Sequence, residues 1–284
     1  MHNKDFIQSL YRHHNTIQAH LPDKELSQQF IDHLYNFLFI PRQGINSKEH
    51  EIEKTLHALK NHLSTLIYEV THDVPAAQEA AEKFFSELPE LYEELLNDAK
   101  AFIANDPAAL DLTEVLNAYP GFYAISVYRI ANSLWKQHIK ILPRVFSEYA
   151  HSKTGVDIHP GATIGKEFFI DHGTGVVIGE TAVIGNGVKV YQGVTVGAFN
   201  SEKNKRAERR HPKIEDNVIL YSGATVLGGD TVVGRDSIIG ANVWLTHSLP
   251  QASLVFHKSE VVRRGKDSVA TLLMQVADDE LLQD

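Results

Sequence analysis

Residues 156–197 read VDIHPGATIGKEFFIDHGTGVVIGETAVIGNGVKVYQGVTVG, and this stretch decides the fold. An aliphatic residue returns every six positions, at Ile158, Ile164, Ile170 and Val176. The phase slips by two, and Ile178, Ile184, Val190 and Val196 resume the same step. Further on the period returns at Ile214, Leu220 and Val226 and, after a slip of one, at Val233, Ile239 and Leu245. A small residue often follows the aliphatic one, as in Ile164-Gly165, Ile184-Gly185 and Ile239-Gly240. A period of six fits neither a helix at 3.6 nor an isolated strand at 2.0. It fits a chain wound into triangular coils, one hexapeptide per side, with the aliphatic residue inward and the small residue easing a tight corner. Such coils stack by parallel pairing at ~4.8 Å, and only stacking buries their core.

Working outward, the segment Ala198 to Pro212 breaks the period with a polar, charged run that cannot line a coil core. It is expected to leave the coil as an exposed arm, and long arms on rigid scaffolds are usually functional or disordered. Upstream the texture is helical. Ile52, Leu56, Leu59, Leu63 and Leu66 step by four and three and make one stripe. Gly44 and Gly121 are the only glycines before Gly155, and Pro22, Pro41, Pro75, Pro89, Pro107 and Pro120 mark helix starts or turns. Helices are predicted over 3–19, 24–39, 48–71, 76–87, 89–104 and 121–136. The predicted class is α + β-solenoid. Residues 1–150 form a helical bundle used for packing and assembly, and 151–258 a β-helix with an extruded arm at 198–212. Residues 259–284 are a partly helical tail.

Of the 284 residues, 43% are hydrophobic and 22% charged, which excludes a mostly disordered chain. There is no cysteine, so disulfides, a thiolate nucleophile and cysteine-ligated metal are excluded. A net charge of -9 argues against a general binder of nucleic acid or anionic membrane. No apolar run approaches the ~18 residues of a membrane span. The start Met1-His2-Asn3-Lys4-Asp5 has no apolar signal-peptide core. A cytoplasmic protein is expected.

Asp157-Ile158-His159-Pro160, Asp171-His172-Gly173-Thr174-Gly175, Ile178-Gly179-Glu180-Thr181-Ala182, Tyr191-Gln192-Gly193-Val194-Thr195-Val196-Gly197 and Arg210-His211-Pro212-Lys213-Ile214 follow in that order. In order and in motif this resembles serine O-acetyltransferase, of the hexapeptide-repeat acyltransferase family. Asp106-Pro107-Ala108 and Tyr128-Arg129-Ile130 match the end of that family's helical domain. The resemblance covers about 106 to 250, and the first hundred residues match only as a generic helical extension. It implies a left-handed parallel β-helix and acetyl transfer from acetyl-CoA to the L-serine hydroxyl, the first step of cysteine biosynthesis, with no tightly bound cofactor and no metal.

The resemblance makes His172 the general base and Asp157 the residue that orients it. The chemistry agrees. A serine hydroxyl is a weak nucleophile, and an imidazole with a reference pKa of ~6.5 can take its proton near neutrality. A carboxylate on the other ring nitrogen fixes the tautomer and stabilises the imidazolium. Asp157 precedes His172 by fifteen residues, close to the eighteen of one coil, so the two can be neighbours on successive coils. A zwitterionic substrate needs an anion for its ammonium and cations for its carboxylate. Asp106 and Asp171 resemble the family's ammonium and hydroxyl contacts. Arg210 and His211 resemble its carboxylate contacts, with the Arg210 fork suited to a planar group. Acetyl-CoA is implied in the groove between adjacent β-helices of a homotrimer or a dimer of trimers, lined by Gly197, Ala198, Tyr221 and Ser222. L-cysteine is a possible feedback inhibitor.

Plainer readings stand beside these. Asp106 before Pro107 also reads as a helix N-cap, and Asp157 as a cap of the first coil. Arg210 and His211 also read as solvated arm residues, His159 as structural, and Lys203, Lys205, Arg206 and Arg209 as a solvated basic run. An acetyltransferase with another amino-acid or sugar acceptor is an alternative. A three-histidine metal-dependent hydratase is another, although the only His-x-x-x-x-His pair is His57 and His62, in the helical half. The chain departs from the common family pattern at Ala198-Phe199-Asn200, where a further glycine and Thr-Gly are usual, and at Val255-Phe256-His257-Lys258, where Gly-Val-Pro-Ala is frequent. It ends Glu280-Leu281-Leu282-Gln283-Asp284 rather than in isoleucine, so no tail-mediated complex with the cysteine-forming sulfhydrylase is expected.

Overall fold

The structure, a computed structural model, describes residues 3–17, 21–40, 48–199 and 209–258. The tail beyond Lys258, most of the arm and the basic residues Lys203, Lys205 and Arg206 lie outside the described residues. The helical part holds α1 (Asn3–Ile17), α2 (Lys24–Phe39), α3 (Glu49–Thr71), α4 (Val74–Asn105), α5 (Leu112–Ala118), α6 (Pro120–Lys136) and α7 (Leu142–Thr154). Asp23, Asp73 and Asp111 cap α2, α4 and α5, each side chain accepting a backbone N–H of the first turn. No helix among the described residues is long and apolar enough to cross a membrane.

Three expectations need correction here. The helices predicted at 76–87 and 89–104 are one element, α4, with Pro89 inside it. Proline removes one hydrogen bond, but Phe84 and Leu88 before it and Leu95, Ala99 and Phe102 after it are buried on one stripe, and that burial outweighs the loss. Asp106 is not an N-cap; it is the C-cap of α4, while Asp111 caps the next helix. Helices α5 and α7 lie outside the helices predicted from the sequence, although Leu142, Phe146 and Ala150 form a buried i, i+4, i+8 stripe.

After α7 the chain visits three parallel sheets in rotation. The first stacks β1 (Asp157–Ile158), β4 (Val177–Ile178), β7 (Thr195–Gly197), β10 (Thr225–Leu227) and β13 (Trp244–Leu245). The second stacks β2 (Thr163–Ile164), β5 (Val183–Ile184), β8 (Lys213–Ile214) and β11 (Val232–Val233). The third stacks β3 (Phe169–Ile170), β6 (Lys189–Val190), β9 (Ile219–Leu220), β12 (Ile238–Ile239) and β14 (Leu254–Val255). The six-residue anchors are the buried ladders of these sheets. Ile158, Ile178, Val196, Val226 and Leu245 are in register in the first, and Ile170, Val190, Leu220 and Ile239 in the third. Val176 is buried but is not a ladder residue; Ile178 pairs with Ile158 in its place.

The helices and the sheets share one apolar cluster. Leu95, Ala99 and Phe102 of α4 and Phe122, Ile125 and Tyr128 of α6 pack into the same core as the aliphatic ladders. Polar links reinforce the junction. Buried Arg129 of α6 pairs with buried Asp98 of α4 through Nε–Oδ2 at 2.5 Å and Nη2–Oδ1 at 2.9 Å. Its Nη2 also donates to the Gly165 carbonyl at 2.7 Å, and Asp98 accepts the Phe168 N–H at 3.0 Å. The helical part is thereby bonded to the strand that leads to His172.

Candidate active site

His172 sits where the chain passes from the third sheet to the first. The regular form of this corner runs from Val190 to Val196, six positions; between Ile170 and Ile178 it takes eight. Backbone bonding locates the surplus. Asp171 N–H donates to Val190 as Tyr191 N–H donates to Leu220, and the Gly193 N–H reaches Thr174 as the Gly223 N–H reaches Gln192. The two additional residues are therefore His172 and Gly173. They push the imidazole outward, leaving 73% of the side chain exposed. His172 adopts φ 55 and Gly173 φ 86. A Cβ at Gly173 would lie 2.7 Å from the Val156 Cγ2, so only glycine fits beneath the strand that carries Asp157. A non-glycine residue held at positive φ costs of order 1–3 kcal/mol, and such strain concentrates at functional sites.

Carboxylates and phenols surround this corner. Asp106, ending α4, accepts the Ala108 N–H at 2.8 Å and the Tyr119 hydroxyl at 2.7 Å. That hydrogen bond is the main reason the Tyr119 phenol is pushed up to about 12; Asp171 adds to it. Tyr191, whose pKa is raised mainly by burial, also feels Asp171 and Asp106, and its ring stacks on Tyr221 at 4.9 Å. Phe102 meets both Phe169 (4.9 Å) and Tyr119 (5.8 Å) edge-on, tying the end of α4 to the strand before Asp171. Asp106, Asp171 and His172 thus share one corner. The Nε2 of His172 lies 3.8 Å from the Asp171 carboxylate.

Asp157 lies beside this corner but is not bonded to His172. Its backbone N–H donates to the Val176 carbonyl at 2.9 Å, so the two segments touch through their main chains. Its carboxylate lies within 4.8 Å of the Glu148 and His151 ligand atoms. This is the described group with metal-ligand potential, and it is not the three-histidine set that a hydratase requires. The Arg144 guanidinium already pairs with Glu148 there.

Arg210 and His211 sit at the opposite end of the first sheet, where the chain leaves β7 for β8. Arg210 Nη2 pairs with Glu180 Oε2 at 2.7 Å, and its buried Nε has no hydrogen-bond partner. His211 is 7% exposed. Its Nδ1 accepts the Thr181 N–H at 3.1 Å and lies 2.8 Å from the Thr181 hydroxyl. The ring lies over Gly179, where a Cβ would come within 1.9 Å of Nε2; any side chain at 179 would evict it. Burial first, and Arg210 second, lower the His211 pKa. Gly197 and Ala198 flank this end, whereas Tyr221 and Ser222 lie at the His172 end. Within one chain the residues singled out from the sequence therefore form two half-sites at opposite ends of the first sheet's strands. Glu180, Thr181 and Tyr119 complete those half-sites. Glu180 and Thr181 stand inside a quoted motif, but the motif alone gives them no role; only the fold shows what they hold.

His159 belongs to the second half-site. Its Nδ1 accepts the Gly161 N–H at 3.0 Å and its ring meets Trp135 edge-on at 5.0 Å. Burial, then Arg144, lowers its pKa from 6.5 to about 4. The unfolded imidazole therefore binds a proton that the folded one refuses. The stability this contributes is complete above about pH 6.5 and is lost as pH falls toward 4. We expect the thermal midpoint to drop across that window, and the drop to be shallower in His159→Asn, which keeps an acceptor for Gly161. Identical slopes in the two proteins would assign the loss to other groups.

Known proteins resemble this chain over most of its length. Residues 45–127 match the family model for the N-terminal domain of serine acetyltransferase, so the likeness reaches well upstream of residue 106 and α3 and α4 are more than a generic extension. A plasmid-encoded serine acetyltransferase of Synechococcus elongatus is 44% identical over 220 residues, covering 72% of this chain and 69% of that protein. The Bacillus subtilis serine acetyltransferase is 47% identical over 174 residues, covering 61% and 78%. Among solved structures, an Entamoeba histolytica serine acetyltransferase in complex with L-cysteine superposes with TM-score 0.74 at 35% identity, covering 83% of this chain and 87% of that one. A Neisseria gonorrhoeae serine acetyltransferase in complex with serine gives TM-score 0.58 at 27% identity, covering 83% and 95%. With 44% identity across more than two thirds of a relative's length, this chain belongs to the serine acetyltransferase family, a family of acyltransferases.

Proposed function

We propose that the chain transfers the acetyl group of acetyl-CoA to the hydroxyl of L-serine, giving O-acetyl-L-serine and CoA. The observation that carries the reading is the buried, unpartnered Nε of Arg210 beside a neutral, buried His211. A buried donor without an acceptor costs about 1–3 kcal/mol, and an incoming carboxylate removes that cost. Asp106 and Asp171 supply the opposite charge, for the ammonium. An amino acid matches both demands; a neutral sugar matches neither. L-cysteine differs from L-serine only in sulfur for oxygen, so the same contacts suit it as a feedback inhibitor.

In this reading the three sheets close as a left-handed parallel β-helix, and three chains assemble so that the His172 end of one meets the Arg210 end of the next. Acetyl-CoA lies in that groove against Gly197 and Ala198 of one chain and Tyr221 and Ser222 of the other. His172 takes the serine hydroxyl proton as the oxygen attacks the thioester carbonyl. The C–S bond breaks as the tetrahedral intermediate collapses, and the imidazolium returns the proton to the CoA thiolate. No covalent acyl-enzyme forms. Asp157 orients the imidazole; this requires the ring to turn from Asp171 toward Asp157. The test is thiol release from acetyl-CoA with L-serine, L-homoserine and glucosamine as acceptors. Highest kcat/KM on L-serine is expected, and a preference for glucosamine would refute the acceptor assignment.

A further inference from the structure

We infer that Thr181 is a positioning residue of the acceptor site, whose hydroxyl holds His211 as a neutral donor through Nε2. The inference rests on the reading of Arg210 and His211 as contacts for the serine carboxylate, and it adds the group that makes His211 fit for that role.

A count of donors and acceptors leads there. A threonine hydroxyl has one hydrogen to donate and two lone pairs to accept with. In this structure Thr181 Oγ1 accepts the Arg210 N–H at 2.8 Å and the His211 N–H at 3.2 Å. Both lone pairs are then used, and the one remaining bond, 2.8 Å to His211 Nδ1, has the hydroxyl as donor. The Thr181 backbone N–H points at the same nitrogen from 3.1 Å. Two donors converge on Nδ1, so Nδ1 carries no proton, and the neutral ring carries it on Nε2. A doubly protonated ring would set Nδ1–H against both donors.

The consequence is chemical. A carboxylate offers acceptors only, so its site must present donors. Arg210 presents Nε–H, while Glu180 occupies its Nη2. Among the described residues no protein group accepts from His211 Nε2. The other tautomer would turn a lone pair toward the carboxylate and repel it. Thr181 also bonds the main chain of both 210 and 211, so one side chain sets the two donors in register after an arm whose middle lies outside the described residues. Glu180, next in sequence, plays a different part, because its ion pair is with the Arg210 side chain.

The experiment compares wild type, Thr181→Val, Thr181→Ser and Arg210→Ala in steady-state acetyl transfer, with the histidine nitrogens followed by 15N NMR. Losing a hydrogen bond that tunes a charged contact corresponds to about 10-fold or more in affinity. We expect Thr181→Val to raise KM for L-serine by that factor, to leave KM for acetyl-CoA within about twofold, and to be rescued by Thr181→Ser. Wild-type and Thr181→Ser proteins should show His211 protonated at Nε2 alone, and the valine variant a mixture of tautomers. A wild-type His211 protonated at Nδ1, or an unchanged L-serine KM in Thr181→Val, overturns the inference. If Arg210→Ala raises that KM and Thr181→Val does not, this inference falls and the functional reading stands. If wild type fails to acetylate L-serine, the functional reading falls, and the tautomer spectrum alone decides Thr181. The spectrum of wild type also decides if the valine variant does not fold.

Discussion

His172→Ala is expected to lower kcat by at least about a hundredfold, the lower end for a general base, with KM for both substrates changed only a few-fold. Among the described residues the imidazole makes no hydrogen bond, and 73% of the side chain is exposed, so its removal takes away little packing. The Asp171 carboxylate lies 3.8 Å from it, and a carboxylate is a weaker acceptor for an alcohol proton than an imidazole. Alanine at φ 55 is strained, so His172→Asn is the matched control: asparagine tolerates the left-handed region and carries no base. Both variants should unfold within a few degrees of wild type and both should be nearly inactive. Turnover in either one close to wild type would remove His172 from the mechanism.

The largest expected loss of stability follows Arg129→Met. Asp98 is 0% exposed and Arg129 5%, and the two exchange the paired hydrogen bonds described above. Removing one partner of a buried pair leaves an uncompensated charge and costs about 3–5 kcal/mol. Here the Gly165 carbonyl would also lose its donor, and Asp98 Oδ2 would lose its own while Oδ1 keeps the Phe168 N–H. The urea midpoint should fall accordingly, and acetyl transfer should weaken even where the protein is fully folded, because Gly165 and Phe168 lead into β3 and the His172 corner. Asp98→Asn combined with Arg129→Met should recover part of the loss, since the stranded charge is gone. Strict additivity of the two substitutions in a double-mutant cycle would show that the pair is not coupled.

Several of these features are legible in the chain. The six-residue aliphatic period is a local signal, set by which side chains face inward, and it anticipates nearly every ladder residue. The slip of two between Val176 and Ile178 marks the two-residue insertion that carries His172, although Val176 itself mimics a ladder position because it too is buried. Pro89 misleads for the opposite reason: its local penalty is visible along the chain, whereas the packing of α4 on both sides of it is not. Asp106 falls among the acceptor contacts by motif, but its C-cap geometry and its bond to Tyr119 depend on where α5 and α6 return the chain.

The amino-acid order by itself determined the repeat, the helical front and the residue types able to handle an amino acid, because periodicity and side-chain chemistry are properties of neighbours along the chain. It was the tertiary structure that decided which of those residues meet. Arg210 finds Glu180 and Thr181 across thirty and twenty-nine residues, and His172 is parted from His211 by a whole sheet face. Such pairings arise from how successive circuits stack, and stacking register is a balance of many distant contacts that no local stretch encodes.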